Sequence, residues 1–116
     1  MTKKIILHTI SIAFLGLVGC SNAPKPIKYN IDKDKQLEHI EKSFELYAKH
    51  HSHKSMAVAM DKEGKYVIGY SYDCASIESA KRIALDNCTK ANNTAEVPAD
   101  AQCVIYAIEN TIIYTK

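Results

Sequence analysis

Histidines and lysines crowd one short segment of the sequence, Lys49, His50, His51, His53 and Lys54. Imidazole is a common ligand of zinc and other divalent metals, and a spacing of three would place His50 and His53 on one face of a helix. No acidic residue or cysteine lies among them to complete a site, and the lysines would repel a cation. Histidines at the carboxyl end of a helix also favour its dipole, so we favour solvent-facing histidines over a metal site.

Other side chains with reactive or binding chemistry are few. Cys74 and one of these histidines could form a nucleophile and base pair, but no orienting motif surrounds the cysteine. Four of the seven tyrosines lie at alternating positions of one predicted strand or on a neighbouring strand. This pattern is more typical of half-buried sheet packing than of an aromatic binding surface. The sequence has no G-x-S-x-G, no H-E-x-x-H and no phosphate-binding glycine loop. We therefore predict that the protein is not an enzyme and binds no cofactor.

The first twenty residues have the pattern of an export leader. Residues 1–4 are short and basic, residues 5–18 are apolar apart from three polar residues, and Gly19 and Cys20 end the run. The apolar run is shorter than the ~20 residues that a membrane-spanning helix needs, and a polar segment with two prolines follows it. We therefore expect residues 1–19 to be a signal peptide that is removed.

The end of this leader, Leu17-Val18-Gly19-Cys20, resembles the lipobox of bacterial lipoproteins. The resemblance implies diacylglyceryl transfer to Cys20 and cleavage before it, hence attachment to a membrane through lipid. Two or more acyl chains hold a protein durably at a bilayer, whereas one holds it marginally. By resemblance to enteric lipoproteins, Ser21 in place of aspartate implies a cell-envelope location at the outer membrane, facing the periplasm. The alternative is a plain secretory signal in which Cys20 is incidental.

Composition after cleavage limits the partners. Removing residues 1–19 from the 116 leaves 97, enough for one domain with a modest core. Lys3 and Lys4 leave with the leader, and the remaining 13 basic side chains balance 13 acidic ones. Because the two signs are interspersed, we predict no nucleic-acid partner and no basic membrane-binding patch. The chain divides into a signal peptide (residues 1–19), a lipid anchor with an extended tether (residues 20–33) and one domain (residues 34–116).

An amphipathic helix is predicted at the start of this domain. Residues 21–30 lack hydrophobic periodicity and contain two prolines, which is typical of an extended tether. From residue 34 to residue 51 the side chains of one stripe recur every three or four residues, namely Leu37, Ile40, Phe44, Ala48 and His51. This stripe must be buried on the domain's own sheet or on a partner.

The rest of the domain alternates strands with a second helix. Strands are predicted at residues 56–60 and 66–72 around a hairpin turn at Gly64, and at residues 102–108 and 111–115. A helix begins after Ser76, a suitable N-cap, and has one face of mostly small residues, namely Ile77, Ala80, Ala84, Cys88 and Ala91. We expect this face to lie on the side of the hairpin that carries alanine and glycine. The fold class is therefore α+β, with a small, mostly antiparallel four-stranded sheet in the order 2-1-3-4, one helix packed on it and an additional N-terminal amphipathic helix.

The cysteines other than Cys20 allow one natural pairing. Cys74 and Cys88 would lie at opposite ends of the second helix, roughly 18–21 Å apart at 1.5 Å per residue, and a disulfide needs Cα atoms within about 7 Å. Cys88 lies on the sheet-facing side of that helix and Cys103 on a strand, so a disulfide between them is favoured in an oxidising compartment. Two buried thiols are the alternative. Cys74 is left buried, free or paired between molecules.

Residues 55–110 contain a series of short motifs, namely Ala57-Val58-Ala59, Gly64, Gly69, Ser71, Ser76, Ala80, Ala84-Leu85, Cys88 and Cys103-Val104-Ile105-Tyr106-Ala107. This series resembles a small domain of unknown function that is common in secreted bacterial proteins. That family has an A-x-A strand, a glycine hairpin, an A-x-x-x-A-L-x-x-C helix and a cysteine-led strand. The resemblance implies the same fold and disulfide and transfers no catalytic residue; Cys74 and the first helix depart from the pattern.

The sequence thus predicts a lipid-anchored envelope protein whose domain binds another protein without catalysis. The tyrosine-rich sheet face and the stripe from Leu37 to Ala48 are the expected docking surfaces. An inhibitor or immunity lipoprotein acting on an envelope enzyme or toxin is the first alternative, because the chain is small, anchored and disulfide-bonded. Metal binding by His50, His51 and His53 is the second. The oligomeric state is left open.

Overall fold

The computed structural model describes residue 20, residues 27–30 and residues 33–115. The elements are β1 (Ile27–Asn30), α1 (Lys33–Ala48), β2 (Ser55–Met60), β3 (Lys65–Ser71), α2 (Ile77–Asn93), β4 (Val104–Ile108) and β5 (Thr111–Ile112). The strands form one antiparallel sheet in the order β1-β3-β2-β4-β5. The four predicted strands are β2 to β5, so the predicted order 2-1-3-4 is confirmed.

The hairpin between β2 and β3 is held by one carboxylate. Asp61 Oδ1 accepts hydrogen bonds from the backbone N–H groups of Glu63 and Lys65, both at 2.9 Å. Gly64 has a φ of 97°, a left-handed conformation that glycine adopts without a steric penalty. The turn sets the register of the hairpin, in which Val58 lies opposite Ile68.

Helix α2 covers the small-residue face of this hairpin, as the sequence predicts. The Ser76 hydroxyl caps the helix by accepting a hydrogen bond from the Ser79 N–H at 3.1 Å. The buried cluster between helix and sheet consists mainly of short side chains, namely Ala57, Ala59, Val67, Ala84, Cys88, Ala91 and Ala99. At Gly69 the two backbones come so close that a Cβ would lie 2.3 Å from the Cys88 nitrogen. Glycine is therefore required here because a Cβ has no room, and not because of the backbone angles.

Helix α1 covers the opposite face with large side chains. Ile40 and Tyr47 are fully buried against a sheet face rich in tyrosine and long aliphatic residues, namely Met56, Val58, Tyr66, Ile68 and Tyr106. Of the predicted stripe, Ile40 is buried and Phe44 partly buried on the domain's own sheet, whereas His51 lies beyond the helix and is exposed. At the start of α1, Gln36 Nε2 donates to the Asp61 and Lys65 carbonyl oxygens at 3.2 and 3.1 Å, which ties the helix to the hairpin.

The predicted boundaries agree with the structure to within two residues except at three places. Helix α1 ends at Ala48 instead of residue 51, and β5 contains two residues instead of five. The tether predicted over residues 20–33 is wrong at its end, because Ile27–Asn30 is an edge strand paired with β3 and α1 begins at Lys33. A single edge strand needs only backbone hydrogen bonds from its neighbour, so residues 27–30 can pair without the alternating pattern that sequence analysis relies on.

Candidate functional site

Cys20 and all three clustered histidines meet at one end of the sheet. We call the group formed by Cys20, residues 49–54 and residues 72–76 the cysteine end. The two loops are joined by backbone hydrogen bonds from Asp73 N–H to the His51 carbonyl at 3.2 Å and from Cys74 N–H to the His53 carbonyl at 3.0 Å. The loop after α1 and the loop after β3 therefore form one surface.

Cys20 is bonded to Cys74 at this end. A disulfide joins the two sulfurs across 54 residues of sequence, and Cys74 is only 6 % exposed. The sequence analysis assigns the Cys20 sulfur to a lipid and leaves Cys74 without a partner; the structure instead pairs the two. Cys20 is not a candidate partner in the sequence-based pairing because lipidation would use its sulfur.

The direction of β1 agrees with this disulfide. β1 runs antiparallel to β3, with Ile27 opposite Ile68, so the amino end of β1 points toward the carboxyl end of β3. β3 ends at Ser71, three residues before Cys74. The amino end of β1 is therefore the end that points toward the cysteine end.

The histidines at the cysteine end make separate contacts. The His50 ring stacks on the Tyr72 ring with 3.8 Å between centroids and 7° between planes. Burial lowers the pKa of His50, and the positive charges of Lys54 and His51 lower it further. His53 Nδ1 lies 3.2 Å from the Cys74 carbonyl oxygen, to which a protonated Nδ1 donates.

The helical basis of the metal-site prediction is wrong. His50 and His53 both lie beyond the end of α1 at Ala48, so a spacing of three does not place them on one helix face. Among the residues that the structure describes, no three histidine, cysteine, aspartate or glutamate side chains are grouped so that they could hold a metal ion.

A buried lysine explains why α1 ends where it does. Lys54 is 3 % exposed, and its ammonium donates to the carbonyl oxygens of Ala48 and His50 at 2.8 and 2.7 Å. These carbonyls lie at the end of the helix, where no further N–H of the helix can reach them. Burial lowers the pKa of Lys54, and the negative charge of Glu109 opposes that shift. The sequence shows Lys54 only as a neighbour of the histidines, because its carbonyl partners depend on the turn of the chain.

Tyr47 and Glu109 complete this buried polar group. The Tyr47 hydroxyl donates to the Glu109 carbonyl oxygen at 2.7 Å, and the Lys54 ammonium lies 5.2 Å from the centre of the Tyr47 ring. Burial raises the pKa of Tyr47, and the carboxylate of Glu109 raises it further. The contacts join α1, β2 and the turn after β4, so we interpret this group as structural.

The second disulfide joins Cys88 and Cys103, the pair that the sequence favours. Their Cα atoms are 6.1 Å apart, within the usual range for a disulfide. The bond links the fully buried Cys88 of α2 to the residue directly before β4. None of the cysteines that the structure describes is a free thiol, so a nucleophile formed by Cys74 and a histidine has no thiol in this state.

The two surfaces predicted for docking are packed against each other. Phe44 of α1 lies beside Tyr106, with 6.2 Å between ring centroids, and Tyr47 lies beside Tyr70 at 5.6 Å. The α1 stripe and the tyrosine-rich face therefore cover each other over these contacts. The large apolar side chains that are exposed lie elsewhere, at Leu46, Val97, Val104, Ile112 and Ile113.

Within residues 33–115 and the other described positions, neither helix is long and apolar enough to cross a bilayer. Comparison of the chain with protein-family models, with curated proteins and with solved structures finds no match. The resemblances to lipoproteins and to the secreted domain family therefore stay predictions from the sequence.

Proposed function

We propose that this chain is a lipid-anchored protein of the bacterial cell envelope whose domain is a non-catalytic protein-binding module. The observation that carries the proposal is the segment over residues 1–20, which is basic, then apolar, and ends in Leu17-Val18-Gly19-Cys20. A diacylglyceryl group on Cys20 provides two acyl chains, and each buried methylene contributes about 0.8 kcal/mol to membrane binding. Ser21 favours the outer membrane, with the domain in the periplasm.

The fold supports a short link between lipid and domain. β1 begins seven residues after Cys20 and is part of the sheet. Its register directs the chain toward the cysteine end, so this end of the domain lies closest to the bilayer when Cys20 carries lipid. The loops at residues 49–54 and 72–76 then face the headgroup layer, and β4 and β5, which lie at the other side of the sheet from β1, are available to a partner in the periplasm.

The contacts of the candidate chemical groups support binding rather than catalysis. His50 is stacked on Tyr72, Cys88 is in a disulfide, and the Lys54 ammonium is used by backbone carbonyls. A binding role instead needs a stable scaffold with exposed contact residues. Three large apolar side chains near the end of the chain are 43–46 % exposed, namely Val104, Ile112 and Ile113.

Two measurements on the full chain test this proposal. Intact-mass analysis and membrane fractionation should find a lipidated wild-type chain that starts at Cys20, whereas Cys20→Ala should be unlipidated and leave the membrane fraction. Cys88→Ala is a matched control that alters a different cysteine and should remain anchored. An unmodified wild-type chain would contradict the anchor.

The binding role is tested in the native envelope. Photo-crosslinking residues placed at Val104, Ile112 and Ile113 should capture one protein reproducibly, while the same residue at the exposed Glu45 on the far side of α1 should not. The captured protein, once purified, should form a stoichiometric complex with the domain. Failure to form that complex would contradict a binding module.

A further inference from the structure

The sulfur of Cys20 has two assignments that exclude each other. In the structure it is bonded to the Cys74 sulfur, and in the proposed function it is bonded to a lipid. A cysteine sulfur forms one bond besides that to its own Cβ, so a thioether and a disulfide cannot coexist on Cys20. A chain with lipid on Cys20 must therefore carry Cys74 in another state.

We propose that Cys74 competes with the lipid for the sulfur of Cys20. This chain then exists either anchored, with a Cys74 thiol, or unanchored, with a Cys20–Cys74 disulfide. This inference rests on the proposed lipid anchor. It assigns Cys74 a role that the lipobox resemblance does not include. It also accounts for the odd number of cysteines that lipidation of Cys20 leaves behind.

The fold favours Cys74 over the other cysteines as this partner. The amino end of β1 points toward the cysteine end, and the Cys74 N–H donates to the His53 carbonyl at 3.0 Å. Cys88 is fully buried under the sheet and already bonded to Cys103. Among the described cysteines, Cys74 is therefore the one that both lacks another partner and lies where β1 directs Cys20.

The two reactions consume the same thiol. In the first, the Cys20 thiol loses its proton, its sulfur forms a C–S bond to the glyceryl carbon of a phospholipid, and the phosphate headgroup leaves with the bonding electrons. In the second, Cys20 and Cys74 together lose two protons and two electrons to a protein disulfide of the oxidising compartment, which becomes a dithiol. Once either bond has formed, Cys20 has no thiolate for the other reaction.

The two states of Cys74 differ in whether its sulfur can be alkylated. In the Cys20–Cys74 disulfide neither sulfur is a thiol, whereas a chain with lipid on Cys20 keeps a thiol on Cys74. Because Cys74 is only 6 % exposed, labelling with maleimide is carried out under denaturing conditions. The anchored form should thus be alkylated at Cys74, and the unanchored form should be alkylated only after reduction.

The experiment compares the full-length wild-type chain with Cys74→Ser, each expressed in a bacterium with an oxidising periplasm and analysed by intact mass without reduction. We expect wild type to contain an unlipidated species that is lighter by four hydrogens than its fully reduced form, two for each disulfide, and that yields a Cys20–Cys74 peptide. In Cys74→Ser that species should be lost and the lipidated fraction should rise. A membrane-permeant thiol reductant during growth should shift wild type in the same direction, and this arm does not depend on folding of the variant. The double variant Cys88→Ala/Cys103→Ala, which lacks the other disulfide, should keep the unlipidated species.

Three results would overturn the inference. A wild-type chain that is wholly lipidated, with no Cys20–Cys74 peptide, refutes the competition and leaves the proposed anchor intact. An unlipidated fraction that is equal in wild type, in Cys74→Ser and with reductant refutes it as well. No lipid on any variant refutes the anchor and, with it, the competition.

Discussion

Replacing Gly69 with alanine tests the close approach between α2 and the sheet. A Cβ at this position would lie 2.3 Å from the Cys88 nitrogen, 2.7 Å from the Cys88 Cα and 2.8 Å from the Asn87 carbonyl carbon. All three atoms belong to the helix backbone, so rotation of a side chain cannot relieve the overlap. Ordinary contact begins near 3.4 Å, and α2 must therefore move away from β3 by about 1 Å.

Such a movement separates a tightly packed face. The side chains between helix and sheet are short, and Ala57, Ala84 and Cys88 are fully buried, so they cannot extend to fill the gap. The Cys88–Cys103 disulfide also limits how far the middle of α2 can move. Overpacking of a rigid core usually costs about 1–3 kcal/mol, occasionally more, and overlap with backbone atoms places Gly69→Ala at or above the upper limit. For a domain of this size, a loss of about 3 kcal/mol corresponds to a fall in Tm of roughly 12–24 °C.

Urea unfolding of the oxidised domain measures this effect. Gly69→Ala should lower the free energy of unfolding by about 3 kcal/mol with an unchanged m value. The control is Thr89→Ala, which introduces the same residue at an exposed position of α2 and should change stability by less than about 0.5 kcal/mol. A Gly69→Ala variant as stable as this control would show that α2 does not approach β3 at the distance described here.

Three further predictions concern the disulfide, the buried lysine and the stacked histidine. Replacing both Cys88 and Cys103 by alanine opens a 15-residue connection and should lower the free energy of unfolding by about 3 kcal/mol, measured by urea titration; no loss would mean that the bond adds no constraint. Lys54→Met keeps the buried stem but removes the donor to the Ala48 and His50 carbonyls, so we expect a loss of about 2–3 kcal/mol, against almost none for the exposed Lys49→Met. Because the pKa of His50 is lowered in the folded state, the unfolded chain binds its proton first, and His50 should reduce stability as pH falls below about 6.5. His50→Phe keeps a ring on Tyr72 and should lose less thermal stability than wild type between about pH 7.5 and 5; equal losses would contradict the assigned pKa direction.

The elements predicted correctly are those in which local pattern and packing agree. The small side chains of β2 and the small face of α2 are complementary, because each is short enough for the other to approach. Ser76 and Gly64 add local signals for a helix start and a hairpin turn, and both are used as predicted. The strand order then follows from these contacts and from the two hairpin connections.

The features that sequence analysis missed depend on distant parts of the chain. β1 has four residues, and its pairing depends on the free edge of β3, which no pattern within residues 27–30 reveals. The end of α1 depends on the Lys54 ammonium, which lies six residues beyond Ala48. The Cys20–Cys74 bond joins residues 54 positions apart. The β1 pairing and this disulfide therefore require the sheet to be assembled, and the end of α1 requires the turn that brings Lys54 back to the helix.

Correction of the tether changes what an anchored domain could reach. A chain spans at most ~3.3–3.6 Å per residue, so a tether over residues 20–33 would allow the domain to stand roughly 45 Å from the lipid-bearing sulfur. With β1 in the sheet, only seven steps separate Cys20 from Ile27, and the limit falls to roughly 25 Å. An edge of the sheet would then stay within that distance of the membrane surface. Under the proposed anchor, we therefore expect a partner that can reach a domain held this close to the bilayer.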